Sequence, residues 1–117
     1  MDSSLLLNNM IKDSYQTALD KGWHEPDNEK TFLESAMLII TELSEAVDEF
    51  RNGRAYNEVY YNDDKPDKPE GIPIEMADVL IRLFDTCAQF GIDLESAYKI
   101  KSKYNLSRPY RHGNKVI

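Results

Sequence analysis

Between residues 32 and 50 apolar side chains recur at intervals of 4, 3, 4, 3 and 4: Phe32, Ala36, Ile39, Leu43, Ala46 and Phe50. Each helical residue turns by about 100 degrees, so this set falls on one narrow stripe with the spacing of a bundle seam. A second set, Ile72, Met76, Leu80, Leu83, Cys87 and Phe90, follows the same design. Stripes of this kind are buried against other helices, which predicts an all-α, four-helix architecture. With 117 residues the chain has room for one domain, 1–117, and one modest core. Self-association would help to cover its apolar surface.

Turn and cap residues divide the chain into four helices and no strand. The first spans about residues 3–21, carries Leu6, Met10, Ile11, Ala18 and Leu19, and stops at Gly22. The second follows Pro26, starting either at Asp27/Asn28 or at the capping box Thr31-x-x-Glu34, and ends at Gly53. Residues 54–71 read as a long polar loop that covers or flanks a site, with Tyr56, Val59, Tyr60 and Tyr61 available to dock. The third helix begins near Pro73 and ends before Gly91. Asp93 caps a fourth that runs to about Tyr104 or Asn105, and residues 106–117 form an irregular tail around Pro109.

Charge is unevenly spread. Residues 1–95 hold all 21 acids against eight Lys/Arg, whereas residues 96–117 hold six Lys/Arg and no acid. A net charge of −7 argues against bulk attraction to nucleic acid or an anionic membrane. No apolar run is long enough to span a bilayer and the N-terminus lacks an export pattern, so a soluble, cytoplasmic protein is expected. A single cysteine, Cys87, suits a reducing compartment and falls at a core position.

The acids are ordered along the helices. On helix two Glu42, Glu45 and Glu49 lie along one flank of the stripe, within roughly 60 degrees of one another, while Asp48 points away. On helix three Glu75 and Asp78 flank the stripe at i, i+3, with Arg82 one turn beyond and able to pair with Asp78. Two such pairs on packed helices bring four carboxylates together. Like charges in a partly dry site repel, and a cation would relieve them. The motifs Glu42-x-x-Glu45 and Glu75-x-x-Asp78 offer only hard oxygen ligands, which suit Mg²⁺, with Mn²⁺ as substitute, and point to a phosphate-bearing substrate. The competing reading is a non-enzymatic acidic helical module that dimerises or docks a partner through its apolar seams.

"ELSE" (42–45), "EMAD" (75–78), the tail "KSKYNLSRPYRHG" (101–113) and "KGWHEP" (21–26) together resemble the MazG-like all-α nucleoside triphosphate pyrophosphohydrolases over about residues 14–113. That resemblance implies a four-helix module completed as a homodimer or homotetramer. It also implies Mg²⁺-dependent cleavage of a nucleoside triphosphate between the α and β phosphates, giving monophosphate and pyrophosphate. Related helical proteins hydrolyse phosphoribosyl-ATP or particular deoxynucleotides. By position Glu42, Glu45, Glu75 and Asp78 would be metal ligands, and Lys101, Asn105, Arg108 and Arg111 would bind phosphate or sugar. Attack at phosphorus also needs an oriented water, and Glu45, as a carboxylate not fully used as a ligand, is the candidate to orient or deprotonate it. Many members have Glu-Glu-x-x-Glu where this chain has Thr41 first. Trp23 is the candidate base-stacking residue against an alternative role as a core anchor, with Tyr15 and His24 weaker candidates; His112 could meet a phosphate, and Glu49 could be a further ligand.

Overall fold

A computed structural model describes residues 6–117. The elements are α1 (Leu6–Asp20), α2 (Phe32–Arg51), β1 (Tyr60–Asn62), β2 (Lys65–Glu70), α3 (Ile72–Gln89), α4 (Leu94–Ser107) and a short α5 (Arg111–Asn114). The fold is mostly helical, as the stripes predict, and the part of the first helix expected at residues 3–5 lies outside the described residues. Thr31 rather than Asp27 or Asn28 opens α2: its hydroxyl accepts from Glu34 N at 3.2 Å while Glu34 Oε1 accepts from Thr31 N at 3.0 Å. Asp93 caps α4 by accepting from Ser96 N at 3.1 Å. In α5 all four residues have positive φ, so this segment is a left-handed turn within the expected irregular tail.

The segment 54–71 is not the unstructured loop that its composition suggests. Tyr60–Asn62 and Lys65–Glu70 pair antiparallel around a turn at Asp63 and Asp64. Pro66 and Pro69 are compatible with a strand because each strand of a two-stranded ribbon has one unpaired side, to which a residue lacking an N–H can be turned without loss of a ladder bond. Tyr60 fastens the hairpin to the body. Its hydroxyl meets Glu49 Oε1 and Oε2 at 2.9 and 2.8 Å, and the Arg54 guanidinium lies 3.5 Å over its ring while holding Glu58 at 2.9 Å. Glu49, one of the acids in the flank of α2, is thereby committed to the hairpin.

The packing of α2 also departs from its stripe. Its buried residues are Ser35, Glu42 and Ala46, whereas Leu43 and Phe50 of the stripe are exposed. The face turned to α3 is therefore rotated by roughly 60 degrees towards the acids. Polar cross-links occupy the seam: Arg82 Nε donates to Glu42 Oε1 at 2.7 Å, and Gln89 Nε2 donates to Lys30 O at 2.8 Å. Arg82 pairs across the helices, not with Asp78 along its own helix. The rotation leaves Leu33, Met37, Ile40, Leu43, Val47 and Phe50 as a continuous exposed apolar arc.

On the other side α1 packs against α3, and α4 is tied to α1 by a hydrogen bond from Asn8 to Glu95. Ala46, Phe84 and Cys87 are the buried apolar residues among those described, with Cys87 in the core as expected. The radius of gyration is 17.2 Å, against about 13 Å for a compact domain of this length. The single chain is thus an open helical assembly rather than a closed four-helix bundle.

Gly71 joins the hairpin to α3 at φ 127 degrees, and a Cβ there would collide with the Glu58 carbonyl oxygen. Because the obstacle is backbone, Gly71→Ala should cost more than about 2 kcal/mol. Denaturant unfolding of the variant against the parent chain measures this; an unchanged midpoint would show that the junction tolerates a side chain.

Candidate metal and substrate site

The rotation of α2 delivers its acid edge to that of α3. One carboxylate oxygen each from Glu42, Glu75 and Asp78 lies within 4.8 Å of the others. Glu42 is only 8% exposed, and Glu75 Oε2 is buried without a hydrogen-bond partner. Such an oxygen loses water and gains nothing, a costly state for a structural residue and a natural one for a ligand. Glu45 is exposed and stands beside this trio, within hydrogen-bonding reach of Glu75.

The electrostatics follow from the crowding. Burial, a hydrogen bond to Glu45 available to the protonated form, and the charges of Glu45, Asp78 and Glu42 push Glu75 up to about 7. Asp78 is also raised, by burial and by Glu42, with Arg82 and Lys68 pulling the other way. Lys68 belongs to β2, so the hairpin does flank the acids. Four carboxylates face two nearby cations, and the imbalance favours a proton or a metal ion. The donor set fits Mg²⁺ or Mn²⁺: oxygen only, carboxylate-rich, and open on one side for substrate oxygens.

That opening is a cavity of about 310 Å³ lined by Glu42 and Asp78 together with Trp23, Lys30, Arg82 and Asp85. Trp23 is 61% exposed, which removes the core-anchor reading. It is held at the cavity by the turn after α1, where Trp23 N bonds Ala18 O at 3.0 Å, and Lys30 Nζ sits 4.8 Å from its ring. His24 is not a free stacking surface. Its side chain is 4% exposed, with Nε2 2.7 Å from Asp85 Oδ1, Nδ1 3.1 Å from Glu29 Oε1, and its ring packed on Tyr15.

The expected phosphate-binding residues lie elsewhere within one chain. Lys101 and Asn105 are on α4, Arg108 follows it, and none lines the cavity. Lys101 and Arg108 flank the Tyr104 ring at 5.0 and 5.4 Å. Arg111 turns back to Lys115 O at 3.1 Å, and His112 is exposed in the same turn.

The chain matches no family model, no curated protein and no solved structure. The reading of the site therefore rests on its own geometry. Lys30 and Asp85 are contributors that motif reasoning passed over, although Glu75, Asp78, Arg82 and Asp85 recur at 3, 4 and 3 along one edge of α3.

A carboxyl raised in the folded state binds its proton more tightly there than in the unfolded chain. Stability must then fall as pH rises from the unfolded value near 4.5 through about 7. Thermal melts of metal-free protein should show this decline, and Glu75→Gln should flatten it. Millimolar Mg²⁺ or Mn²⁺ should raise the melting temperature more at pH 8 than at pH 6, because binding displaces the proton. A metal response independent of pH would contradict ligation by Glu75.

Proposed function

We propose that this chain is a MazG-like, Mg²⁺-dependent nucleoside triphosphate pyrophosphohydrolase that cleaves a (d)NTP between the α and β phosphates. The observation that carries the proposal is the convergence of Glu42 from α2 with Glu75 and Asp78 from α3 around the buried, partnerless Glu75 Oε2. A non-enzymatic helical module accounts for the exposed apolar arc, but supplies no reason for desolvating acids together.

Glu42, Glu75 and Asp78 would hold the metal, with Glu45 at the margin of the ligand set. Bound Mg²⁺ supplies charge neutralisation at the phosphoryl oxygens. Glu45, exposed beside the trio, orients a water for attack on the α-phosphorus and takes its proton as the new P–O bond forms and the bridging bond to the β-phosphate breaks. Pyrophosphate departs with the bridging oxygen. Arg82 holds Glu42 in place and offsets part of the site's negative charge, which favours approach of an anionic substrate. Trp23 and the cavity beside it receive the nucleoside.

The phosphates need further cations, and Lys101, Arg108 and Arg111 provide them, with Asn105 as a neutral hydrogen-bond donor, if α4 of a second copy closes over the acidic cavity. The exposed arc on α2 and the small core of the isolated chain support a homodimer or homotetramer. Among the described residues no helix is long and apolar enough to cross a membrane.

With Mg²⁺ and a panel of (d)NTPs, the products should be monophosphate and pyrophosphate; diphosphate and phosphate would refute this chemistry. Glu42→Gln and Asp78→Asn should each reduce kcat by at least about 100-fold with helicity retained, consistent with the loss of a principal charge-stabilising group. Paired glutamates at Met37 and Ile40 should shift the protein to monomer in light scattering and remove activity. An active monomer would exclude a site shared between copies.

A further inference from the structure

We infer that Asp85, fixed by the buried His24, selects a nucleobase bearing an exocyclic amine, cytosine or adenine, in the cavity beside the carboxylates. This inference rests on the hydrolase reading for the nature of the ligand. Asp85 and Asp78 both line the cavity and are seven residues apart on α3, two turns or about 10 Å along the axis. That span suits a nucleoside whose phosphate end lies at Asp78 and whose base edge lies at Asp85. Trp23 and Ile81 supply apolar wall for the base.

The two oxygens of Asp85 have different duties. Oδ1 lies 2.7 Å from His24 Nε2, and Oδ2 takes no hydrogen bond from the described residues. Glu29 on the other ring nitrogen and the Tyr15 ring, tilted by 41° with its centroid 4.7 Å away, keep the imidazole from turning, so His24 acts as a positioning residue. Oδ2 is therefore the acceptor that Asp85 can offer a ligand in the cavity it lines, with Lys30 as a donor on the same cavity. A single acceptor beside a donor matches the amine and adjacent ring nitrogen of cytosine or adenine. Uracil, thymine and hypoxanthine place a carbonyl oxygen against the carboxylate instead, and the donor pair of guanine calls for both carboxylate oxygens.

Trp23 is the only tryptophan, so its fluorescence reports occupation of the cavity. Titrations of the full chain with dCMP against dUMP, and dAMP against dIMP, compare ligands differing at one exocyclic atom. At least one amino member should bind about tenfold more tightly than its oxo counterpart, the lower end of what one base contact contributes. Asp85→Asn should abolish or reverse that ratio, because an asparagine whose oxygen accepts from His24 turns its amide N–H to the cavity. Equal affinities within both pairs, a preference for the oxo member, no response to any of the four, or the same ratio in Asp85→Asn would each overturn the inference; the wild-type ratios decide it even if the variant misfolds. Pyrophosphate release from triphosphates is assayed separately: selective monophosphate binding without turnover counts against the hydrolase alone, and turnover without amine selectivity counts against this inference alone.

Discussion

The contact between Arg82 and Glu42 sets the relation between the two central helices, and most of the molecule is arranged around it. A buried carboxylate needs a partner, and the guanidinium of α3 provides one at 2.7 Å. Meeting that need turns α2 so that an acid, rather than the middle of its apolar stripe, faces α3. Three consequences follow together: Glu42 comes within reach of Glu75 and Asp78, a cavity opens beside them, and an apolar arc is left uncovered on the far side. Site and exposed surface are two outcomes of one helix rotation.

The helices and their ends were legible in the sequence because capping and turn residues act locally. Thr31 and Glu34, Asp93, and the glycines after α1 and α2 make their contacts within a few residues, so spacing alone reveals them. The pairing of the acid edges was legible too, as Glu42, Glu75 and Asp78 lie on flanks that periodicity defines. The rotational setting of α2 was not, since it depends on a partner forty residues away. Nor was the hairpin: its lysines, aspartates and prolines resemble a disordered stretch, and what orders them is the anchoring of Tyr60 on Glu49. Composition cannot register a bond of that kind.

The same limit applies at the cavity. Trp23, read from sequence as either wall or core, belongs to the wall because the turn following α1 projects it outward. His24, in the turn after α1, and Asp85, on one edge of α3, are separated by 61 residues yet form one unit, and no local signal joins them. Residues whose function lies in holding another residue are the hardest to find from a motif, because their partner is fixed by tertiary structure.

The acid-free segment 96–117 has a consequence for how copies of the chain approach one another. With six cations gathered there and all the acids in the remainder, the molecule is an electric dipole as well as an anion. Two such molecules repel as wholes but attract when the basic end of one faces the acidic side of the other, so encounters are oriented before any surfaces touch. Salt weakens both forces over a Debye length of about 8 Å at physiological strength. In the homo-oligomer proposed above, orientation would be set at long range by charge and fixed at short range by apolar contact, which would separate the speed of assembly from its strength.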